Sequence, residues 1–416
     1  MTRQRVVVTG LAVISPIGLT VEDYWHGLTG GVSGVGRITR FDASDLPVRI
    51  AAEVKGFEPE NYMDPKTARR LGRFAQLSLA ASRQALEDSG LQISAKNEYE
   101  AGAIVATGGG GCQEIMAETL VLEKRGPDRV NPLFVPAMIS NMASCQVSIT
   151  FGLKGPAVTS IAACAAGVYA FYEAAQFLRR GDAEALLTGG TESAIVPLSF
   201  ISLGRIGALS RRNDDPEHAS RPFDKDRDGF VFGEGAAILM LETLDAARAR
   251  GARILAELVG VSHNSDAYHI TAPEPSGDSA ARAMQKAIAD AGLAPEEIEY
   301  ICAHGTGTPL NDVSETRALK RAFGDYAYRV PISSPKSMIG HLLGAAGAMS
   351  ALTCVLTLAR GCIPPTVNLD EPADGNDLDF VTGSAREAKV DTVLINARGY
   401  GGFNAALVLR RVDGAG

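Results

Sequence analysis

The chain has 416 residues, 46% of them apolar and 21% charged, and a formal net charge of −8. That length supports a large core and two or three domains, or two fused halves. The acidic balance (pI about 5.4) excludes the basic footprint of a nucleic-acid binder, although an acidic partner can still dock on a local basic patch.

Arg3 and Arg5 precede an apolar run, giving Met1 to Gly18 some likeness to a signal peptide. Thr9-Gly10 and Ser15-Pro16 interrupt that run and no small-residue cleavage site follows, so Arg5 to Thr9 is expected as a first buried strand. No run reaches the ~18 apolar residues of a membrane helix, and no membrane partner is expected. Gly27 to Pro59 is loop-rich, and Thr67 to Leu91 reads as a helix closed by Ser89-Gly90. Ala101 to Thr107 is a buried strand entering Gly108-Gly109-Gly110-Gly111, and Asn131 to Phe151 is partly helical. Ala157 to Ile161 is strand-like, turns at Cys164, and continues into an amphipathic helix over Gly167 to Leu178. Ala183 to Thr188 forms the next strand, ending in Gly189-Gly190-Thr191-Glu192; Arg212 to Asp228 is a charged loop and Glu234 to Glu242 another strand.

The second half repeats this order. Ile254 to Ser262 is a strand, and the helix Gly277 to Leu293 ends in Ala291-Gly292-Leu293, echoing Ser89-Gly90-Leu91. Tyr300 to Ala303 enters a Gly/Thr loop as Ala101 to Thr107 does, Val330 to Ser334 leads towards His341 and a helix, and Val393 to Asn396 enters Gly399 to Gly402. Alternating strands and helices predict an α/β fold, with parallel or mixed sheets covered by helices. The internal repeat predicts two halves, residues 1–252 and 253–416, whose equivalent turns converge on one site.

Three turns carry reactive side chains. Cys164 lies at a strand-to-helix turn among Ala162, Ala163, Ala165 and Ala166, which leave room at the sulfur. A helix N-terminus favours a thiolate, so a lowered thiol pKa is expected there. His304 ends a buried strand in Ala303-His304-Gly305-Thr306-Gly307-Thr308-Pro309, and His341 follows Lys336-Ser337-Met338-Ile339-Gly340. Taken singly, each is more often structural: a core cysteine, a hydrogen-bonded histidine, a surface lysine. A Cys and two His at equivalent turns of one repeat point instead to nucleophilic catalysis. The six cysteines, Cys112, Cys145, Cys164, Cys302, Cys354 and Cys362, have no CxxC or metal spacing, so reduced thiols, a cytoplasmic location and no metal site are expected.

Together these motifs resemble the β-ketoacyl-acyl-carrier-protein synthases of the elongating Cys-His-His type. The resemblance spans nearly the whole chain and includes Arg221-Pro222-Phe223-Asp224 through Gly235, Ser265-Asp266-Ala267-Tyr268-His269, and Gly340 to Gly347. It implies the thiolase fold, a duplicated αβαβα layered sandwich, with cap and dimer loops in the first half and a gating loop in the second. It implies Cys164 as acyl acceptor, His304 and His341 as donors to the thioester oxygen of a malonyl group, and Lys336 as support for the pair. The N–H groups of Cys164 and Tyr400 would form the oxyanion site, with Tyr400, Gly401 and Arg398 in the gating loop. Thr306 and Thr308 would bind the phosphopantetheine arm, which arrives on an acyl carrier protein, so no resident cofactor is expected. The partner would be a second copy or a ketosynthase-like chain-length subunit.

Some positions depart from the family pattern. The C-terminal loop, usually Asn-Ser-Phe-Gly-Phe-Gly-Gly-Thr-Asn, is Asn396-Ala397-Arg398-Gly399-Tyr400-Gly401-Gly402-Phe403-Asn404. The acidic partner of the lysine, nine residues after the second His, is Ser350. Gly109 stands where fatty-acid elongating members place a bulky aliphatic, which predicts an open acyl pocket, the alternative being that a nearby substrate-binding side chain such as Phe134 or Leu203, or a partner subunit, refills the space. These departures lean towards a specialised reducing polyketide or polyene pathway, with primary fatty-acid elongation as the alternative. A non-catalytic chain-length subunit would lack Cys164, and a degradative thiolase would carry a second Cys among Asn396 to Asn404, where there is none. Asp224-x-Asp226-x-Asp228-Gly229 begins like a calcium loop, but its twelfth position is Gly235 and no helix pair is expected to flank it.

Overall fold

A computed structural model describes residues 3–412. Long stretches buried at every position become strands covered on both faces. From the first half come β1 (Val6–Ile14), β2 (Ala101–Ala106), β3 (Ala157–Val158), β4 (Ala185–Glu192) and β5 (Gly235–Thr243). From the second come β6 (Ala256–Ser265), β7 (Tyr300–Cys302), β8 (Ile332–Ser333), β9 (Thr392–Gly399) and β10 (Phe403–Arg410). The sheet order is β8-β7-β9-β10-β6-β1-β5-β4-β2-β3.

The two sets of five obey one rule. β3, β2 and β4 run parallel, then β5 and β1 follow antiparallel. β8, β7 and β9 run parallel, then β10 and β6 follow antiparallel. The sets meet where Val6–Val8 pairs antiparallel with Ala256–Leu258. This is the duplicated order that the sequence pattern predicts.

Five helices complete the layers: α1 (Arg73–Ser89), α2 (Ala166–Arg180), α3 (Asp278–Asp290), α4 (Pro309–Phe323) and α5 (Ala346–Arg360). α1 covers β1, β4 and β5, while α3 covers β6 and β10 and packs on α4. α2 and α5 pack on each other and touch strands of both halves. The sandwich is therefore αβαβα, the thiolase-like architecture. α5 is buried from Ala346 to Leu358, as a helix apolar all round must be. Leu343–Arg360 is long and apolar enough to cross a membrane, contrary to the expectation that no such run exists, and most of it lies inside the core.

Several element boundaries differ from the pattern-based expectation. The helix expected over Thr67 to Leu91 is two, Pro65–Ala68 and α1, separated at Gly72. A side chain at Gly72 would meet the Ala137 carbonyl oxygen at 2.7 Å, so the break is built into the packing. α1 ends as expected, with Gly90 left-handed at φ 67°. β3 has two residues rather than five, because Thr159 to Ile161 leave the sheet towards the Cys164 turn.

Candidate active site

Cys164 sits two residues before α2. Ala163, immediately before it, holds φ +47°, a left-handed conformation costly for a side-chain-bearing residue. The turn is thus strained without the Gly-x-nucleophile-x-Gly pattern that marks such elbows in sequence. The N-termini of α2 and α5 touch through two glycines: a Cβ on Gly167 would lie 2.6 Å from the Ala348 nitrogen, and one on Gly347 2.7 Å from the Val168 nitrogen. Gly399 closes over the cysteine, its absent Cβ 3.1 Å from the Cys164 nitrogen.

The expectation of a depressed thiol pKa is corrected. Burial pushes the Cys164 thiol up to about 12, against the pull of Lys336 and of the N–H groups of Tyr400 and Cys164. Desolvation of the thiolate outweighs the helix terminus. With a raised pKa the thiolate fraction grows about tenfold per pH unit through the neutral range. Alkylation of Cys164 by iodoacetamide should therefore climb steadily from pH 7 to pH 9; a plateau below pH 8 would indicate a stabilised thiolate instead.

His304 follows β7 by two residues and is 5% exposed. Its N–H donates to Glu315 Oε1 at 2.6 Å, and that of Gly305 to Glu315 Oε2 at 2.8 Å. Asn396 Nδ2 donates to the same Oε1 at 2.8 Å, so one buried carboxylate on α4 ties the His304 turn to β9. Asp312, also on α4, accepts from the N–H groups of Phe223 at 2.7 Å, Gly307 at 3.2 Å and Thr306 at 3.3 Å. Burial raises the Asp312 carboxyl to about 6. Glu315 and Asp312 are positioning residues that the sequence analysis missed. Their signal was a pair of acids three apart on a helix that begins just past the histidine loop.

His341 is held by its backbone, which donates to the Val231 carbonyl at 2.7 Å and accepts from the Gly233 N–H at 3.0 Å. Its ring stands edge-on to Phe230 at 5.1 Å and to His304 at 5.3 Å, the two imidazoles nearly perpendicular at 87°. Nδ1 is buried without a hydrogen-bond partner. Burial and then Lys336 hold both rings well below the usual histidine range, so each is neutral and can present one N–H. Lys336 is 3% exposed, and among the described residues it forms no ion pair with a carboxylate. Burial lowers its pKa, while Cys302 is the first group to oppose that, ahead of Glu315 and Cys164.

Cys164, His304 and His341 open into one cavity of about 630 Å³. Thr306 and Thr308, with hydroxyls 3.0 Å apart, line one side, and Leu203, Phe230 and Phe232 form an apolar wall. Tyr400, Arg398 and Gly109 also line it. Gly401 and Gly402, at φ 87° and 81°, make the bend between β9 and β10 that carries Tyr400 over the cysteine. Phe134 does not line the cavity; it starts a short helix beside exposed Leu133 and Val135. Nor is the space at Gly109 open. A Cβ there would lie 3.0 Å from the Ala194 Cβ and 3.1 Å from Glu192 Oε1. That carboxylate accepts the N–H groups of Gly108, Gly109 and Gly344, so the glycines serve the loop backbone. Among the described residues no group of His, Cys, Asp and Glu could hold a metal ion.

Comparison with known proteins places this geometry. Residues 3–247 match the Beta-ketoacyl synthase, N-terminal domain, and residues 255–370 the Beta-ketoacyl synthase, C-terminal domain. The chain belongs to the β-ketoacyl synthase family. It is 49% identical over 411 residues to the 3-oxoacyl-[acyl-carrier-protein] synthase 2 of Synechocystis sp., covering 99% of both chains. Among solved structures it resembles the ishigamide ketosynthase/chain length factor, with 38% identity, a TM-score of 0.91, and coverage of 99% of this chain and 100% of that one. It also resembles a type II polyketide synthase ketosynthase in complex with its acyl-carrier protein and bound to the hexaketide, at 31% identity and TM-score 0.91, with the same coverage. The protein is a thiolase-type acyltransferase that forms carbon–carbon bonds.

Proposed function

We propose that this β-ketoacyl synthase joins an acyl group held on Cys164 to a malonyl group delivered on acyl carrier protein. The observation that carries this reading is the convergence of the Cys164 thiol and two neutral imidazoles in a cavity with one polar and one apolar side. The Cys164 sulfur attacks the carrier thioester, and the N–H groups of Cys164 and Tyr400 stabilise the oxyanion as the carrier thiol leaves. Malonyl thioester then enters past Thr306 and Thr308. Loss of CO2 leaves an electron pair as an enolate, whose oxygen accepts N–H donation from His304 and His341. The enolate carbon attacks the acyl-Cys carbonyl, the Cys164 thiolate departs, and a 3-oxoacyl thioester remains on the carrier. Lys336 keeps the imidazoles neutral and opposes the burial penalty on the thiolate. The phosphopantetheine arm comes and goes with the carrier, so the reaction asks for no resident cofactor.

Primary chain elongation is supported by the 49% identical Synechocystis relative. A specialised reducing polyketide or polyene pathway is supported by the ishigamide likeness. Exposed Ile115, Leu122, Leu133, Val135 and Leu198 suit burial against a second copy or a chain-length subunit, and free thiols suit the cytoplasm.

Incubation with acyl- and malonyl-carrier protein should give a carrier-bound product longer by two carbons and bearing a 3-oxo group. Absence of that product, with both carriers intact, would contradict the reading. Leu203→Trp fills the apolar wall, and each excluded methylene removes about 0.8 kcal/mol of burial. It should cut loading of long saturated chains at least tenfold while sparing short ones; a polyene accepted better than its saturated counterpart by the unaltered enzyme would select the specialised pathway.

A further inference from the structure

Arg398 lies on β9 directly before the cysteine-covering Gly399, lines the cavity, and is 4% exposed. Nε donates to Asn404 Oδ1 at 3.4 Å and Nη1 to Ser314 Oγ at 3.1 Å. Nη2 is buried and has no hydrogen-bond partner among the described residues. A buried guanidinium without a direct counter-ion is costly, and a carboxylate or phosphate is its natural complement.

The acids nearby are already engaged. Asp266, the one acid among the cavity-lining residues, accepts from Asn404 Nδ2 at 2.7 Å and from the Glu274 N–H at 3.1 Å. Glu315 and Asp312 are taken up by the backbone of the His304 loop. The lining histidines are neutral, and Lys336 is outside the lining. Arg398 is therefore the one cation among the described residues that line the cavity.

The two acyl groups that enter differ in charge: the group loaded on Cys164 is neutral, whereas the malonyl extender carries a carboxylate. We propose that Arg398 binds the carboxylate of the malonyl extender and so distinguishes the second substrate from the first, an inference that rests on the condensing reading above. The ion pair exists before the carbon–carbon bond breaks and is lost when CO2 leaves as a neutral molecule. It stabilises the bound extender at least as much as the transition state, so its loss raises KM and does not lower kcat.

The test compares the wild type with Arg398→Met, which keeps the bulk without the charge, and with Arg398→Lys. At saturating acyl-carrier protein, Arg398→Met should raise KM for malonyl-carrier protein at least tenfold without lowering kcat, and Arg398→Lys should recover part of the loss. Loading of Cys164 and inhibition by acetyl-carrier protein should stay unchanged. An unchanged KM overturns the proposal. So does an equal loss in loading and condensation, which would make Arg398 a strut between β9 and α4. If Arg398→Met does not fold, Arg398→Gln gives the same readout. Should the wild type load acyl groups but never release CO2, the condensing reading falls; equal inhibition of loading by malonyl- and acetyl-carrier protein would then overturn the Arg398 assignment separately.

Discussion

Cys164→Ala is expected to abolish acyl loading. The sulfur is the one nucleophile at the turn between β3 and α2, and the N–H groups of Cys164 and Tyr400 lie against it. Cys112 is the other thiol in the cavity wall, and burial together with the Glu192 carboxylate pushes it up to about 12. Removing a nucleophile eliminates the covalent path altogether, so the expected loss is to background rather than by a fixed factor. The substitution removes one buried atom among alanines and leaves the fold intact. Intact mass after incubation with acyl-carrier protein measures it: the wild type gains one acyl group and Cys164→Ala none. Acylation of Cys164→Ala at the wild-type site count would move the nucleophile elsewhere.

His304→Ala and His341→Ala separate the half-reactions. In the proposed reaction each neutral imidazole donates one N–H to the enolate oxygen, and loss of one such donor costs on the order of 10²–10³ in rate, about 3–4 kcal/mol. In the proposed reaction loading uses only the thiol and the two backbone N–H groups, so both variants should acylate Cys164 within a few-fold of the wild type. CO2 release from malonyl-carrier protein should fall by the full factor in each. His341→Ala tests the pair most cleanly, because its Nδ1 has no partner whose loss would complicate the result. His304→Ala leaves Glu315 bound to backbone N–H groups, so the loop should keep its shape. Comparable losses in loading and decarboxylation would place the histidines in a shared step.

Most of the architecture was legible in the sequence because duplication repeats one strand order twice, and turns with Cys164, His304 and His341 recur at equivalent places. The reactive residues could be found because glycine, threonine and alanine surround them for reasons of space. What escaped depends on contacts far along the chain. Glu315 acts on His304 through backbone groups eleven positions away, and Asp312 reaches Phe223 across 89 positions. The local turn of Cys164 predicts an acidic thiol, yet burial decides its proton. Phe134 and Gly109 were placed at an acyl pocket by resemblance. One lies away from the cavity, and the other is crowded by Ala194 and Glu192, both from the β4 region. Arg398 carries no periodic signal, and only the fold shows that its guanidinium is buried beside the substrate cavity.

In the proposed reaction the two half-reactions share one cavity, and stoichiometry on pre-acylated enzyme tests that most directly. Enzyme carrying an acyl group on Cys164, freed of excess donor, is mixed with malonyl-carrier protein while CO2 release and acyl-enzyme mass are followed together. The predicted result is one CO2 released for each acyl-Cys164 consumed, with one 3-oxoacyl carrier formed. CO2 release that leaves acyl-Cys164 intact, or loss of the acyl group without CO2, would contradict it.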